Sequence, residues 1–350
     1  MIDRRAIIRL LVGIAVSVAF LWVTLSRVDL EEAADAIGKA APAGMLAALA
    51  IVLVDLALRA LRWHVLLRNV EHEGAPPPYR LAFGYLTLGF AANFVLPARL
   101  GDVARAVLAA DTFRTPRLAI FGTIMIERVS DGLTMLALAI VSSLVVASAS
   151  ELQSLTGYAI ALVVAGLVVA VVGWLAITRT ALASTRIATI ATGLVRRVSA
   201  GAGALREPGA AGAFLGLTAV LATTAILVAW TVSQAVGINL SPIETVLFLS
   251  GIALSLAIPA APGAIGTYEF VGVAIITGLV YTPEQGLATI LLMRIVTTFP
   301  PALLGVGSIW ALHVRPSSIV ESAETAEASA EPPAGELPVA ERAAEERPAT

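Results

Sequence analysis

Leu81-Ala-Phe-Gly-Tyr-Leu-Thr-Leu-Gly-Phe-Ala-Ala-Asn93-Phe-Val-Leu-Pro97-Ala-Arg99-Leu-Gly101-Asp102 is the stretch on which the reading of this chain turns. Its first part is as apolar as a membrane-crossing helix. It then breaks at Pro97, which lacks an amide donor, and at Gly101, which frees the backbone to turn. If the stretch crossed a bilayer, Arg99, Arg105, Arg114 and Arg117 would fall on the side opposite the N-terminal Arg4, Arg5 and Arg9. Lys and Arg collect on the cytoplasmic side, so that placement has the wrong sign. A hairpin that enters near 81, turns at Pro97–Gly101 and returns by 111 removes the conflict.

The rest of the chain supports a membrane setting. Of 350 residues, 58% are apolar and 14% charged, against about a quarter charged in soluble domains. Apolar runs lie at about 6–25, 43–62, 81–97, 118–147, 157–177, 211–235, 243–258, 264–281 and 286–312. Most are long enough to cross a ~30 Å hydrocarbon core as helices. The first lacks a convincing cleavage site and reads as a retained helix rather than a signal peptide. Asp29, Glu31, Glu32 and Asp35 suit the outside, and Arg59, Arg62, Arg68 and Arg80 bring the chain back inside. The run at 243–281 has no basic residue in its flanks at 237–244 and 281–285, so it too must turn back, at Pro259-Ala-Ala-Pro262-Gly263-Ala-Ile-Gly266. The expected architecture is an all-α polytopic membrane protein of the cytoplasmic membrane. It has six full transmembrane helices and two re-entrant helical hairpins, at about 81–111 and 243–281, with both termini cytoplasmic.

Three segments are expected: a transmembrane domain over 1–313, a basic interfacial segment at 178–209 and an acidic tail at 316–350. In 178–209, Ile187, Ile190, Leu194 and Val198 share one helical face while Arg179, Arg186 and Arg196 turn away from it. A plain cytoplasmic loop reads equally well there. The tail, with eight Glu against two Arg, has too little apolar surface to fold and is expected to be disordered.

The two breaks resemble each other, Pro97-Ala98-x-x-Gly101 against Pro259-Ala260-x-x-Gly263, and each precedes a span with one central arginine, Arg128 or Arg294. Span, hairpin, span, repeated from opposite faces, is an inverted-topology repeat, in which broken helices meet near the midplane at a substrate site. A central arginine costs at least ~2.5 kcal/mol in lipid and must face a protein interior or a cavity. Asp131 at i+3 is the expected partner of Arg128. With Glu127 beside it, this leaves a negative surplus for Arg105, Arg99 or Arg294 to balance. Guanidinium groups grip phosphate in two-pronged fashion, so the candidate substrate-binding residues are Asn93, Arg99, Asp102, Arg105, Glu127, Arg128 and Asp131 in the first half, and Thr267, Tyr268, Glu269 and Arg294 in the second. Asp55 and Arg59, four apart, read as an internal ion pair, and Arg59, Arg62 and Trp63 as interfacial anchors.

These residues together resemble the flippase-like integral membrane family typified by the membrane half of lysylphosphatidylglycerol synthases. The resemblance runs over about 5–313. It is carried by Arg59-Ala-Leu-Arg62-Trp63, the Asn93-to-Asp102 break, Glu127-Arg128-Val-Ser-Asp131, the Pro259-to-Glu269 break and Arg294. Ala264 stands where the family often has glycine. The resemblance implies translocation or presentation of phospholipids or lipid-linked sugars. Synthase activity does not carry over, because no soluble domain for it follows the last span. With no cysteine and three scattered histidines, thiol chemistry is excluded and metal chemistry disfavoured. No cofactor and no nucleic acid are expected, and membrane lipids are the expected partners, with a synthase or transferase as a further one. Lipid flippase or transporter is the leading reading. The alternative is a membrane-bound enzyme, or an accessory subunit of a lipid-modifying glycosyl- or acyltransferase, for which only Glu127, Asp131 or Glu269 offer acid–base groups. The oligomeric state is left open.

Overall fold

The computed structural model describes residues 4–70, 75–95, 100–147, 203–256, 264–315, 317–319 and 321. Among them the chain is helical: α1 (Arg4–Leu25), α2 (Leu30–Gly38), α3 (Pro42–Arg68), α4 (Tyr79–Val95), α5 (Leu100–Phe113), α6 (Arg117–Ala147), α7 (Pro208–Ala235), α8 (Pro242–Ser255), α9 (Thr267–Gly278) and α10 (Pro283–Ala311). The expected span at 157–177, most of the basic segment at 178–209, both breaks at 96–99 and 257–263, Arg99, and nearly all of the acidic tail lie outside the described residues.

Helix starts follow local chemistry. α3, α7, α8 and α10 each begin with proline at the first or second position, where its missing N–H costs nothing and its fixed φ suits the helix. Ser241 with Glu244, and Thr282 with Gln285, add reciprocal capping boxes. Helices α3, α6, α7 and α10 each hold an 18-residue stretch with mean hydropathy 1.7–2.1, enough to cross a bilayer by length and composition. Large side chains on the outer surface are apolar, among them Trp22, Leu215, Leu303 and Trp310, each more than 60% exposed. Such a surface belongs against hydrocarbon. This is a multi-pass helical membrane protein.

Helices α4, α5, α8 and α9 have 17, 14, 14 and 12 residues, about 18–26 Å each, short of the hydrocarbon thickness. α4 and α5 pair antiparallel. Tyr85 Oη lies 2.6 Å from Thr112 Oγ1, Gly89 faces Arg105 and Gly101 faces Asn93. A Cβ at Gly101 would collide with the Asn93 amide and the Gly89 carbonyl, so the neck of the pair closes only around glycine. α8 and α9 touch through Gly251 and Ile275, and α9 packs on α10 with Gly272 against Ile290 and Gly286 against Val273 and Ile276.

Between these groups the packing repeats itself: α3 lies on α7, α4 on α10, and α6 on α8. Each pair's first arm thus packs on the last long helix of the other group. Close approach again depends on small residues, as in helix packing within membranes. A Cβ at Gly305 would strike the Thr87 carbonyl, and Thr87 Oγ1 lies 2.8 Å from Ser308 Oγ. α1 rests on α9, with Phe20 and Phe270 rings 4.7 Å apart. Gly266 there has φ +93° and meets the Ser17 backbone. Ala264, two residues earlier, has φ +52°. Alanine in place of glycine there costs roughly 1–2 kcal/mol of left-handed strain.

Two ends of expected segments are visible. Gly203–Leu205 form a 3₁₀ turn whose Ala204 is buried with Leu66, Ile126 and Phe214. Ile319, at the start of the acidic tail, is buried against Leu88, Ala92 and Ala104.

Candidate functional site

Six helices, α3, α4, α7, α8, α9 and α10, line a partly open cavity of about 390 Å³. Its walls are mostly apolar, with Phe90, Val228, Leu249 and Met293 among them, and its polar arc is formed by Asp55, Arg59, Tyr268, Arg294, Thr297 and Thr298. One arginine comes from each half of the chain. Arg294 Nε lies 2.8 Å from Glu269 Oε1, with its guanidinium over the Tyr268 ring at 4.4 Å. Glu269 Oε2 in turn accepts from the Gly266 amide at 2.6 Å. The same carboxylate therefore caps α9 and holds the cavity arginine. Opposite, Arg59 Nε donates to Asp55 Oδ2 at 2.6 Å, and Thr224 Oγ1 donates to Asp55 Oδ1 at 2.7 Å. Pro300 and Pro301 stand inside α10, with Pro301 in the cavity wall. Prolines there leave carbonyls of the preceding turn without their helical donors, which is tolerated at membrane depth beside a cavity.

A second set of charges lies beside the cavity, with Arg62, Arg105 and Glu127 buried and Asp102, Arg128 and Asp131 half-buried. Arg62, 1% exposed, makes a two-pronged bond to Asp131, with Nη1 to Oδ1 at 2.6 Å and Nη2 to Oδ2 at 3.1 Å, and reaches Thr218 Oγ1 at 3.2 Å and Glu127 Oε1 at 3.4 Å. Arg105, also 1% exposed, lies 3.5 Å from Glu127 and 3.9 Å from Asp102, and stacks on Trp63 at 4.5 Å. Arg128 donates from Nε and Nη2 to the two Asp102 oxygens at 3.1 and 3.0 Å. Arg59 Nη1 joins this cluster to the cavity, 3.9 Å from Asp131.

Two expectations are corrected by this geometry. The partner of Arg128 is Asp102 rather than Asp131, because Asp102 at the start of α5 points across to α6 while Asp131 is taken by Arg62. The carboxylates beside Arg128 are balanced by Arg105, one of the cations expected there, 3.5 Å from Glu127, and also by Arg62. Arg62 and Trp63 are not interfacial anchors: both are fully buried, as the hub and backing of the cluster.

The candidate residues thus fall into groups. Tyr268 and Arg294 line the cavity with Glu269 behind them. Asp102, Arg105, Glu127, Arg128 and Asp131 belong to the charge cluster beside it. Thr267 donates to the Ala264 carbonyl and holds the turn before α9, and Asn93 sits at the neck of the α4–α5 pair. Asp55, Arg59 and Arg62 were passed over as site residues, although their i, i+4 and i+7 spacing places all three on one face of α3. That periodicity was the available signal.

An intramembrane core with a cavity between paired helix groups defines a class: polytopic membrane proteins whose central helices enclose a charged chamber. Residues 10–305 match the family described as Lysylphosphatidylglycerol synthase TM region, and the chain belongs to that family. It is also similar to the protein named Glycosyltransferase AglD of Haloferax volcanii, at 27% identity over 362 aligned positions covering 91% of this chain. The chain spans 57% of that relative's length.

Proposed function

We propose that this protein binds the headgroup of a phospholipid or lipid-linked sugar in the cavity and carries it across the cytoplasmic membrane. The observation that carries this reading is the cavity itself. Its apolar wall and polar arc match an amphiphile, and its two arginines, one from each half, match a phosphate. Family membership supports a lipid-related role. In this reading α4–α5 and α8–α9 are re-entrant hairpins entering from opposite faces, and both termini are cytoplasmic. The name of the Haloferax relative favours a second reading, in which the cavity presents a lipid to a transferase.

Lipids retained through mild detergent purification test binding directly. Mass spectrometry of the wild-type protein should find a phosphate-bearing lipid at near one copy. Arg294→Gln should lower it roughly tenfold, since a hydrogen bond to a charged group is worth about 1.5–3 kcal/mol, while the protein elutes as before. An identical lipid complement in both proteins would remove the cavity from the account.

A further inference from the structure

α10 ends at Ala311, and the chain then reverses. His313 takes the left-handed conformation, φ +53°, and the Val314 amide donates back to the Ile309 carbonyl at 3.1 Å. Glycine is the usual residue at such a helix end, so the reversal is made here against the preference of the side chain. Beyond it the Arg315 carbonyl accepts from the Ser318 amide at 3.0 Å and from Ser318 Oγ at 2.7 Å, which starts a helical turn. The turn leads to Ile319.

Ile319 is 7% exposed. It forms a small apolar cluster with Leu88 and Ala92 from α4 and Ala104 from α5, with Leu312 and Val314 packed at its side. Leu88 and Ala92 lie in the second half of α4, so the segment runs back along the helix pair. Leu312 leans on Gly84, where a Cβ would come within 3.1 Å of it. Ile319 thus ties both arms of the pair to the end of α10 at one point. Ala104 stands between Asp102 and Arg105, which hold Arg128 and Glu127. Fixing α5 at Ala104 therefore also fixes the charge cluster beside the cavity.

Burying one isoleucine biases an equilibrium by roughly tenfold to a hundredfold. That is enough to keep the segment docked most of the time and too little to make it permanent. Residues 316–350 carry eight Glu against two Arg, a composition with little apolar surface to add to the contact. Carriers work by rocking one helix group against another, and the segment spans the boundary between α4–α5 and α10.

We propose that the segment after α10 is a strap: docked through Ile319 it holds α4 and α5 against α10 and brakes lipid movement, and released it lets the pair move. The brake rests on the lipid-transport reading, and the strap does not.

The chain has no cysteine, so spin labels at Asp111→Cys on α5 and Trp310→Cys on α10, both exposed, report the distance across the strap in the full-length protein. Ile319→Ser should add a longer-distance population, and Ile319→Leu should leave the distribution as it is. In liposomes Ile319→Ser should move a fluorescent phospholipid about tenfold faster. A short bis-methanethiosulfonate bridge between Ala92→Cys and Ile319→Cys should stop that movement until it is reduced. An unchanged distance distribution in Ile319→Ser overturns the strap. Transport indifferent to the bridge overturns the brake and needs no destabilised variant to fold. Longer distances in a protein that moves no lipid would keep the strap and remove the lipid reading.

Discussion

Glu269 serves two neighbours with its two oxygens, the Gly266 amide and Arg294. Glu269→Gln keeps a group able to accept from the amide but removes the counter-charge from a half-buried arginine. Breaking a buried pair on one side costs about 3–5 kcal/mol. Asp102→Asn leaves Arg128 in the same predicament, but the Arg128 side chain is 32% exposed against 24% for Arg294, so solvent screens more of the loss. Thermal unfolding followed by fluorescence-detected size exclusion should therefore show a larger drop in midpoint for Glu269→Gln than for Asp102→Asn, both against wild type. Equal midpoints for all three would mean that neither ion pair holds its helix. At this scale the sequence was legible in part. Arg128 and Arg294 stood out because charge is rare in apolar runs, and the motif positions of Asp102 and Glu269 marked them. Their partners were harder to read, since Asp102 and Arg128 meet only when α5 folds back on α6. Arg62 was misplaced because an arginine near a helix end ordinarily reaches for the interface.

The short helices are the elements whose reading the charge rule decided. They run over Tyr79–Val95, Leu100–Phe113, Pro242–Ser255 and Thr267–Gly278, with α4 and α5 antiparallel. What the sequence withheld was the cross-packing of α4 on α10 and α6 on α8, because long-range apolar contacts leave no periodic trace that identifies the partner. The membrane sidedness of these pairs has a direct measurement. Cysteine at Arg117, exposed just after α5, should label only in permeabilised cells, and cysteine at Val280, 95% exposed between α9 and α10, should label from outside in intact ones. Labelling of the Arg117 position from outside would make the first pair a full crossing and leave its arginines on the wrong face.

The two halves of the molecule meet at the cavity, one presenting Asp55 and Arg59 and the other Tyr268 and Arg294. The central claim is that this cavity moves lipid, and it is tested by reconstituting purified protein into liposomes with a fluorescent phospholipid and following dithionite quenching. Wild-type vesicles should lose fluorescence beyond the outer-leaflet half at a rate set by protein content. Arg294→Gln vesicles, with the same amount of folded protein, should stop near half. Quenching that stops near half in wild-type vesicles, for phospholipid and for a lipid-linked sugar alike, would contradict the account.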